Sequence, residues 1–245
     1  LLNSTLTIKE YVETAKARGY SAIAITDKNV LYGAVEFFQA CQKNQLTPII
    51  GLELDFISIE STETVLLYAK NVAGYQELMR LSSTRMMAEK PQKISEYQIK
   101  QDNLLVVLPV DSIKEALEPL INEFQELFQT NFYLGITPET KLSNLPVSCS
   151  KVALHEVAYL EKSQAFSVNV MSHIQAGTQI PREELIAQSG EHYLLDMQEL
   201  IERFDDQEAL VNAEKFGNEC HFELPLHQKL LPHYPVPTEQ SAKEY

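Results

Sequence analysis

The stretch Ala22-Ile-Ala-Ile-Thr-Asp-Lys-Asn-Val-Leu-Tyr-Gly33 decides the fold. It opens as a short apolar run and stops on a polar triplet, Asp27-Lys28-Asn29, which reads as a buried strand ending abruptly. Tyr32–Asn44 then carries Ala34, Val35, Phe38 and Cys41 at helical spacing, and Pro48–Phe56 contains a second strand. Strand, helix, strand at this spacing is the signature of a βα unit and a mainly parallel sheet. Catalytic groups of such folds sit at strand ends. A lysine beside the carboxylate at this end therefore raises the question of what kind of site it is.

Working outward, Thr7-Ile-Lys-Glu10 has capping-box spacing ahead of Ile8, Tyr11, Val12 and Ala15, and Gly19 is a natural helix stop. Apolar runs at Val65–Tyr68, Leu104–Leu108, Phe132–Ile136 and Pro146–Val152 predict further strands. Helical patterns lie near Gly74–Glu89, Ile113–Phe128 and Gln164–Gln175. That gives about six or seven strands. No glycine-rich phosphate loop follows the first strand, which favours an α/β barrel over a doubly wound sheet. Ser189–Glu223 reads as helical, and Leu224–Pro237 as a proline-punctuated extended run. No internal repeat is present.

The 245 residues hold 34 acids against 20 bases, a formal net charge of −14, so strong binding of DNA by this acidic chain itself is not expected. No apolar run reaches the roughly 18–20 residues of a membrane helix, and no secretory leader is evident, so a cytoplasmic location is expected. The first residue is Leu1, which suggests a fragment of something longer. Cys41, Cys149 and Cys220 form no CxxC pair and suggest neither a disulfide framework nor a thiolate metal site.

All six histidines lie at or after His155, with no HExxH and no HxH. His155, beside Glu156 after a predicted strand, is the one placed where a barrel site would want it. Asp27, Glu53, Asp111 and Glu156 all fall at or near strand ends, which converge in a barrel. Like charges held close repel unless a cation, a metal or Lys28, sits among them. The plainer alternative is surface acids scattered over an acidic protein. No GxSxG or other nucleophile pattern appears.

These residues resemble a known family. Thr26-Asp27-Lys28, Gly33-Ala-Val-Glu-Phe37 and Thr47-Pro-Ile-Ile-Gly-Leu-Glu53 look like the T-D-H, G-A-V-x-F and K-P-I-I-G-x-E of the PHP (polymerase and histidinol phosphatase) domain. This is the domain that opens bacterial DNA polymerase III alpha subunits, here closest to the low-GC Gram-positive type. Leu67–Tyr75, Phe132–Ile136 and Ile174–Gly177 continue the likeness. Leu230–Pro237 resembles the segment joining that domain to the polymerase body, so the likeness spans the chain.

The resemblance implies a distorted, TIM-like (β/α)7 barrel over residues 1–225 and a linker over 226–245. It implies a metal phosphoesterase ancestry, and the departures from the family pattern concentrate there. Lys28 stands where the family has a histidine, and a second histidine position falls on Thr64. The position of a cysteine corresponds approximately to Asp111. In the late N-D-V-H motif the aspartate position is Glu156 and the histidine position Ala158, and a later histidine aligns with Val168. Only Asp27, Glu53 and Glu156 keep metal-competent chemistry, and a protonated lysine has donors only.

The leading expectation is a metal-free scaffold or interaction domain, with Lys28 paired to neighbouring acids. Its parent chain would be a Mg²⁺-dependent DNA polymerase acting on DNA and dNTPs, and its partners the polymerase body and other replisome subunits. The competing expectation is an active phosphoesterase or 3′–5′ proofreading exonuclease holding Mn²⁺ or Zn²⁺ on the carboxylates. A stand-alone barrel enzyme is a third, and it offers no nucleophile.

Overall fold

A computed structural model describes residues 4–59, 61–114, 116–146, 148–181 and 190–226. Helix α1 (Ile8–Ala17) starts where the capping pattern puts it. The Thr7 hydroxyl oxygen accepts from the Glu10 amide at 3.2 Å, and Gly19 turns the chain out at φ +88°. There follow β1 (Ala22–Lys28), α2 (Ala34–Asn44), β2 (Thr47–Ile57), β3 (Thr62–Ala69), α3 (Val72–Met87) and β4 (Leu104–Pro109). The remaining elements are α4 (Leu117–Phe128), β5 (Phe132–Ile136), β6 (Lys151–Ala153), α5 (Ala165–Ala176), α6 (Met197–Arg203) and α7 (Gln207–Glu219).

The six strands form one sheet in the order β1-β2-β3-β4-β5-β6. It is more mixed than the βα pattern predicts: β1–β2, β4–β5 and β5–β6 are parallel, while β3 runs antiparallel to both neighbours. The link from Ile57 to Thr62 is the cause. It is far shorter than the crossover a parallel pair needs, so the chain turns back as a hairpin closed by Ser58 N–H donating to Ser61 O at 3.0 Å.

Side-chain alternation splits the sheet into two faces. Ile50, Leu52, Leu54 and Phe56 of β2 pack outward with Phe37, Leu78 and Phe124 of the helices. Ile49, Leu66, Tyr68, Leu105, Val107 and Val152 face inward, where a barrel interior would be. Phe216 and Cys220, at the end of α7, fill that interior, the Phe216 ring lying edge-on to Tyr133 at 4.9 Å and Tyr68 at 5.8 Å. The same helix spans the sheet edges. Asn212 donates to Lys151 O of β6 at 2.7 Å, and a Cβ on Gly217 would lie 3.3 Å from the Ala22 Cβ of β1. Among the described residues β1 and β6 do not pair with each other. Helix α7 occupies the place that direct strand pairing takes in a closed barrel.

The tail differs from the continuous helix read over Ser189–Glu223. The chain near Tyr193 is extended and bridges Tyr159, and helices start where Asp196 and Asp206 cap them, accepting from the Glu199 amide at 2.8 Å and the Ala209 amide at 3.1 Å. Ser189, His227, His233 and the linker beyond Leu226 lie outside the described residues. Among the described residues no helix is long and apolar enough to cross a membrane.

Candidate functional site

The period of two along β1 assigns neighbouring residues to opposite faces. Ala22 and Ala24 belong to the inner cluster, and Lys28 continues their series at the end of the strand. Asp27 belongs with Ile23 and Ile25 on the helix side, where its Oδ2 accepts from the Gly33 amide at 3.1 Å. A Cβ on Gly33 would lie 2.8 Å from the Ile25 side chain and 3.2 Å from Asp27 Oδ2, so these side chains would have to shift to admit one where the chain enters α2.

On β2 the inward series runs Ile49, Gly51, Glu53, Asp55. The parallel register sets Lys28 beside Glu53, and the antiparallel register sets Thr64 across from Asp55. Four side chains from three strands thus meet at one mouth of the sheet. The Lys28 ammonium lies 3.1 Å from Asp55 Oδ1 and 3.6 Å from Glu53 Oε1. Thr64 donates to Asp55 Oδ1 at 3.4 Å.

Asn29 locks this arrangement. It adopts φ 59°, a left-handed conformation that asparagine tolerates better than most residues. Its amide donates to Glu53 O at 2.7 Å, its side-chain NH₂ donates to Asp55 Oδ2 at 2.9 Å, and its side-chain carbonyl accepts from the Asp55 amide at 3.0 Å. Ser82 of α3 donates to Asn29 O at 2.9 Å, and Tyr97 to Asp55 O at 2.9 Å.

The electrostatics follow from this geometry. Burial is the largest influence on Glu53 and raises its pKa. The Lys28 charge opposes burial, the Asp55 and Glu156 carboxylates reinforce it, and the net result stays above the ordinary value. For Lys28, burial lowers the pKa, but Asp55 and Glu53 outweigh it and the net direction is upward. The ammonium therefore remains charged across the neutral range.

The other residues singled out in the sequence are placed as follows. Asp111 takes the hydroxyls of Thr137, at 2.8 Å, and Thr140, bracing the loop after β5. Glu156 is exposed, acts on Glu53 through its charge, and has His192 Nδ1 3.7 Å away. His155 Nε2 lies 2.8 Å from Tyr193 O, a partner that only an N–H can satisfy. Its pKa is held below the usual value chiefly by burial. Ala158 is buried among Tyr159, Tyr193 and Leu195, and Val168 packs against the same group.

Among the described residues no group of three or more His, Cys, Asp or Glu is arranged to hold a metal ion. The donor chemistry agrees. Lys28 offers donors only, the Thr64 hydroxyl is turned to Asp55, and the Ala158 and Val168 side chains are hydrocarbon in an apolar cluster. These residues do not fit a metal cluster built from those positions.

Asp55 joins the candidate site although no sequence motif marks it. Two residues beyond Glu53 on the same strand, it shares Glu53's face by alternation alone, and it is the closer partner of Lys28. A separate surface cleft of about 370 Å³ is lined by Arg18, Glu161, Lys162, Tyr193, Asp196 and Glu199, among others. Its charges are largely spent on each other: Arg18 pairs with Glu161, and Tyr193 bonds Glu199.

A mixed α/β sheet curled around an inner core, with charged side chains gathered at its strand ends, is a barrel-type domain. Residues 1–139 match the PHP domain family, and the chain belongs to it. Among curated proteins the chain is similar to the DNA polymerase III subunit alpha of Halalkalibacterium halodurans, 32% identical over 271 aligned residues, covering 100% of this chain and 24% of that protein. It is also similar to the DNA polymerase III subunit alpha of Staphylococcus aureus, 30% identical over 250 residues, covering 100% of this chain and 22% of that protein. The chain thus spans about a quarter of the length of these relatives. Among solved structures, an amidohydrolase from Chromobacterium violaceum matches with a TM-score of 0.43 and 12% identity, over 82% of this chain and 93% of that one. A putative metal-dependent phosphoesterase from Bifidobacterium adolescentis matches with a TM-score of 0.29 and 15% identity, over 79% of this chain and 55% of that one.

Proposed function

We propose that this chain is the N-terminal PHP domain of a replicative DNA polymerase III alpha polypeptide, and that it serves as a scaffold whose strand-end charge is balanced by Lys28. The observation that carries the reading is the ammonium 3.1 Å from Asp55 and 3.6 Å from Glu53. Two carboxylates on one half-buried face need a cation between them. An ammonium supplies the charge, but it has no lone pair to give and no vacant coordination position at which to activate water.

On this reading the vestigial metal-site positions are Asp27, Lys28, Glu53, Thr64, Asp111, Glu156, Ala158 and Val168, with His155 beside them. The phosphoesterase or exonuclease alternative would need Asp27, Glu53, Asp111, Glu156 and His155 to converge on Mn²⁺ or Zn²⁺. Asp27 is instead engaged with the Gly33 amide, Asp111 with two threonine hydroxyls and His155 with a carbonyl.

The parent polypeptide would carry out Mg²⁺-dependent nucleotidyl transfer on DNA and dNTPs with residues beyond Tyr245, in the cytoplasm, in contact with its own polymerase body and other replisome subunits. Metal analysis tests the scaffold reading. Protein grown with added Zn²⁺ and Mn²⁺ and then dialysed should carry far less than one metal per chain and show no 3′–5′ exonuclease or phosphatase activity. Stoichiometric metal with metal-dependent hydrolysis would overturn it.

A further inference from the structure

We infer that the exposed face of α3 is a docking surface for an acidic amphipathic helix of another protein. The inference deepens the scaffold reading and rests on it only in taking the domain to serve contacts; the metal content of the domain does not bear on it.

Helix α3 buries Gly74, Glu77, Leu78 and Leu81 against the sheet. Its other side carries Gln76, Met79, Ser83, Met86 and Met87, whose helical spacing makes one stripe. Met79 is 42% exposed, Met86 57% and Met87 88%, so three of the chain's five methionines share this stripe instead of being scattered singly. Methionine is unbranched and adaptable, which suits a contact surface. The stripe holds no carboxylate: Glu77, the one acid of the helix, is buried and paired with Arg80 at 2.6 Å. The chain after the helix is firmly held. Ile57 N–H donates to Gln92 O at 2.8 Å, Tyr97 donates to Asp55 O at 2.9 Å, and Arg80 donates to Tyr97 O at 2.9 Å. A partner therefore meets a preformed ledge and has little to order on binding.

Charge selects the occupant. From Glu77 to Lys100 five bases stand against three acids, a balance of +2 in a chain of net charge −14, so the other residues carry −16. Lys90, Lys93 and Lys100 are exposed just beyond the methionines. An apolar stripe that runs into exposed lysines complements a helix with an apolar stripe and acidic flanks. A second copy of this chain, paired through the same face about a two-fold axis, would set those lysines against their own counterparts. Single-stranded nucleic acid needs an exposed ring to stack on, and the one aromatic residue between positions 76 and 100, Tyr97, is buried.

The test follows the five methionine methyl signals of the ¹³C-methyl-labelled chain by NMR. The probe is a synthetic peptide of about 18 residues, long enough to hold a helix, with a leucine stripe and glutamate flanks. The expected result is saturable shifts at Met79, Met86 and Met87 with Met171 and Met197 unmoved, and no response to the same peptide carrying lysine in place of glutamate. Met86→Glu and Lys90→Glu should each weaken binding by roughly tenfold, and Lys43→Glu on α2 should leave it unchanged. Met86 and Lys90 are exposed, so neither substitution threatens the core. Four results would each overturn the inference: no saturable shift up to roughly 1 mM peptide, shifts led by Met171 or Met197, an equal response to the lysine peptide or to oligothymidylate, or shifts that grow with protein concentration alone, the mark of a second copy. The longer natural polypeptide should bind the fluorescein-labelled peptide with the same affinity within about threefold; a face closed off by the rest of that polypeptide would bind none and would also overturn it. Metal analysis reads the mouth of the sheet and this titration reads α3, so the scaffold reading and the docking face can fail separately.

Discussion

Replacing Lys28 by methionine keeps most of the side chain's length and removes its charge. The loss can be bounded from the structure. An exposed ion pair is worth about 0–1 kcal/mol, and removing one partner of a fully buried pair costs about 3–5 kcal/mol. The Lys28 side chain is 49% exposed, that of Glu53 30% and that of Asp55 11%, so the site lies between these limits. Discounting for the solvent that screens the lysine, we expect a loss of about 1–2 kcal/mol at pH 8.

The pH dependence makes this prediction specific. Burial already holds Glu53 above its ordinary value, and Lys28 is the charge that opposes burial. Without Lys28 the carboxyl titrates higher still. A carboxyl whose folded pKa exceeds its unfolded value contributes stability below the unfolded value and loses it as pH rises through the folded one. The Lys28→Met penalty should therefore grow from about pH 4 upward and be clearly larger at pH 8 than at pH 5. Lys28 has a raised pKa, so its own contribution is complete throughout this window and fades only in strong alkali. The assay is urea unfolding of wild type and variant at both pH values, closed into a double-mutant cycle with Asp55→Asn. Equal stabilities at pH 8, or a penalty that does not change with pH, would refute the reasoning.

Other parts of the structure give further expectations. Phe216→Ala should cost about 3–5 kcal/mol in urea unfolding, because it empties the space α7 fills inside the sheet; a loss under about 1 kcal/mol would mean that α7 is not part of the core. Asn29→Gly should be less damaging than Asn29→Ala, since both lose the bonds to Asp55 but only alanine also strains at φ 59°; thermal unfolding midpoints in the opposite order would rule that out. His155 has a folded pKa below its unfolded value, so its contribution is present above the unfolded value, about 6.5, and is lost as pH falls from there through the lower folded value. His155→Gln should flatten that part of the stability profile, measured as unfolding free energy between pH 5 and 7.5.

Much of this was legible in the residues. The apolar run ending at Asp27-Lys28 announces the strand, Gly19 and the Thr7 cap bound the first helix, and Lys28 stands out as a cation among strand-end acids, with its partner among them left open. What stayed hidden depends on one-residue phase and on long-range register. Asp27 and Lys28 are adjacent in sequence but fall on opposite faces of β1, so the carboxylate serves a loop amide while the lysine enters the mouth. Asp55 gains its role only when β1, β2 and β3 align, and no local pattern reports that alignment. The reversal of β3 is written in the short Ile57–Thr62 link, which leaves no room for the crossover that a parallel pair needs. Phe216 looks like an ordinary helix-face residue until the sheet curls around it.

The most direct test of the exchange of metal for ammonium is anomalous diffraction from crystals of this protein grown in Mn²⁺. The expected map has the Lys28 ammonium within hydrogen-bonding reach of Asp55 and Glu53 and no manganese peak between those carboxylates. A manganese peak there, with Lys28 swung out into solvent, would contradict it.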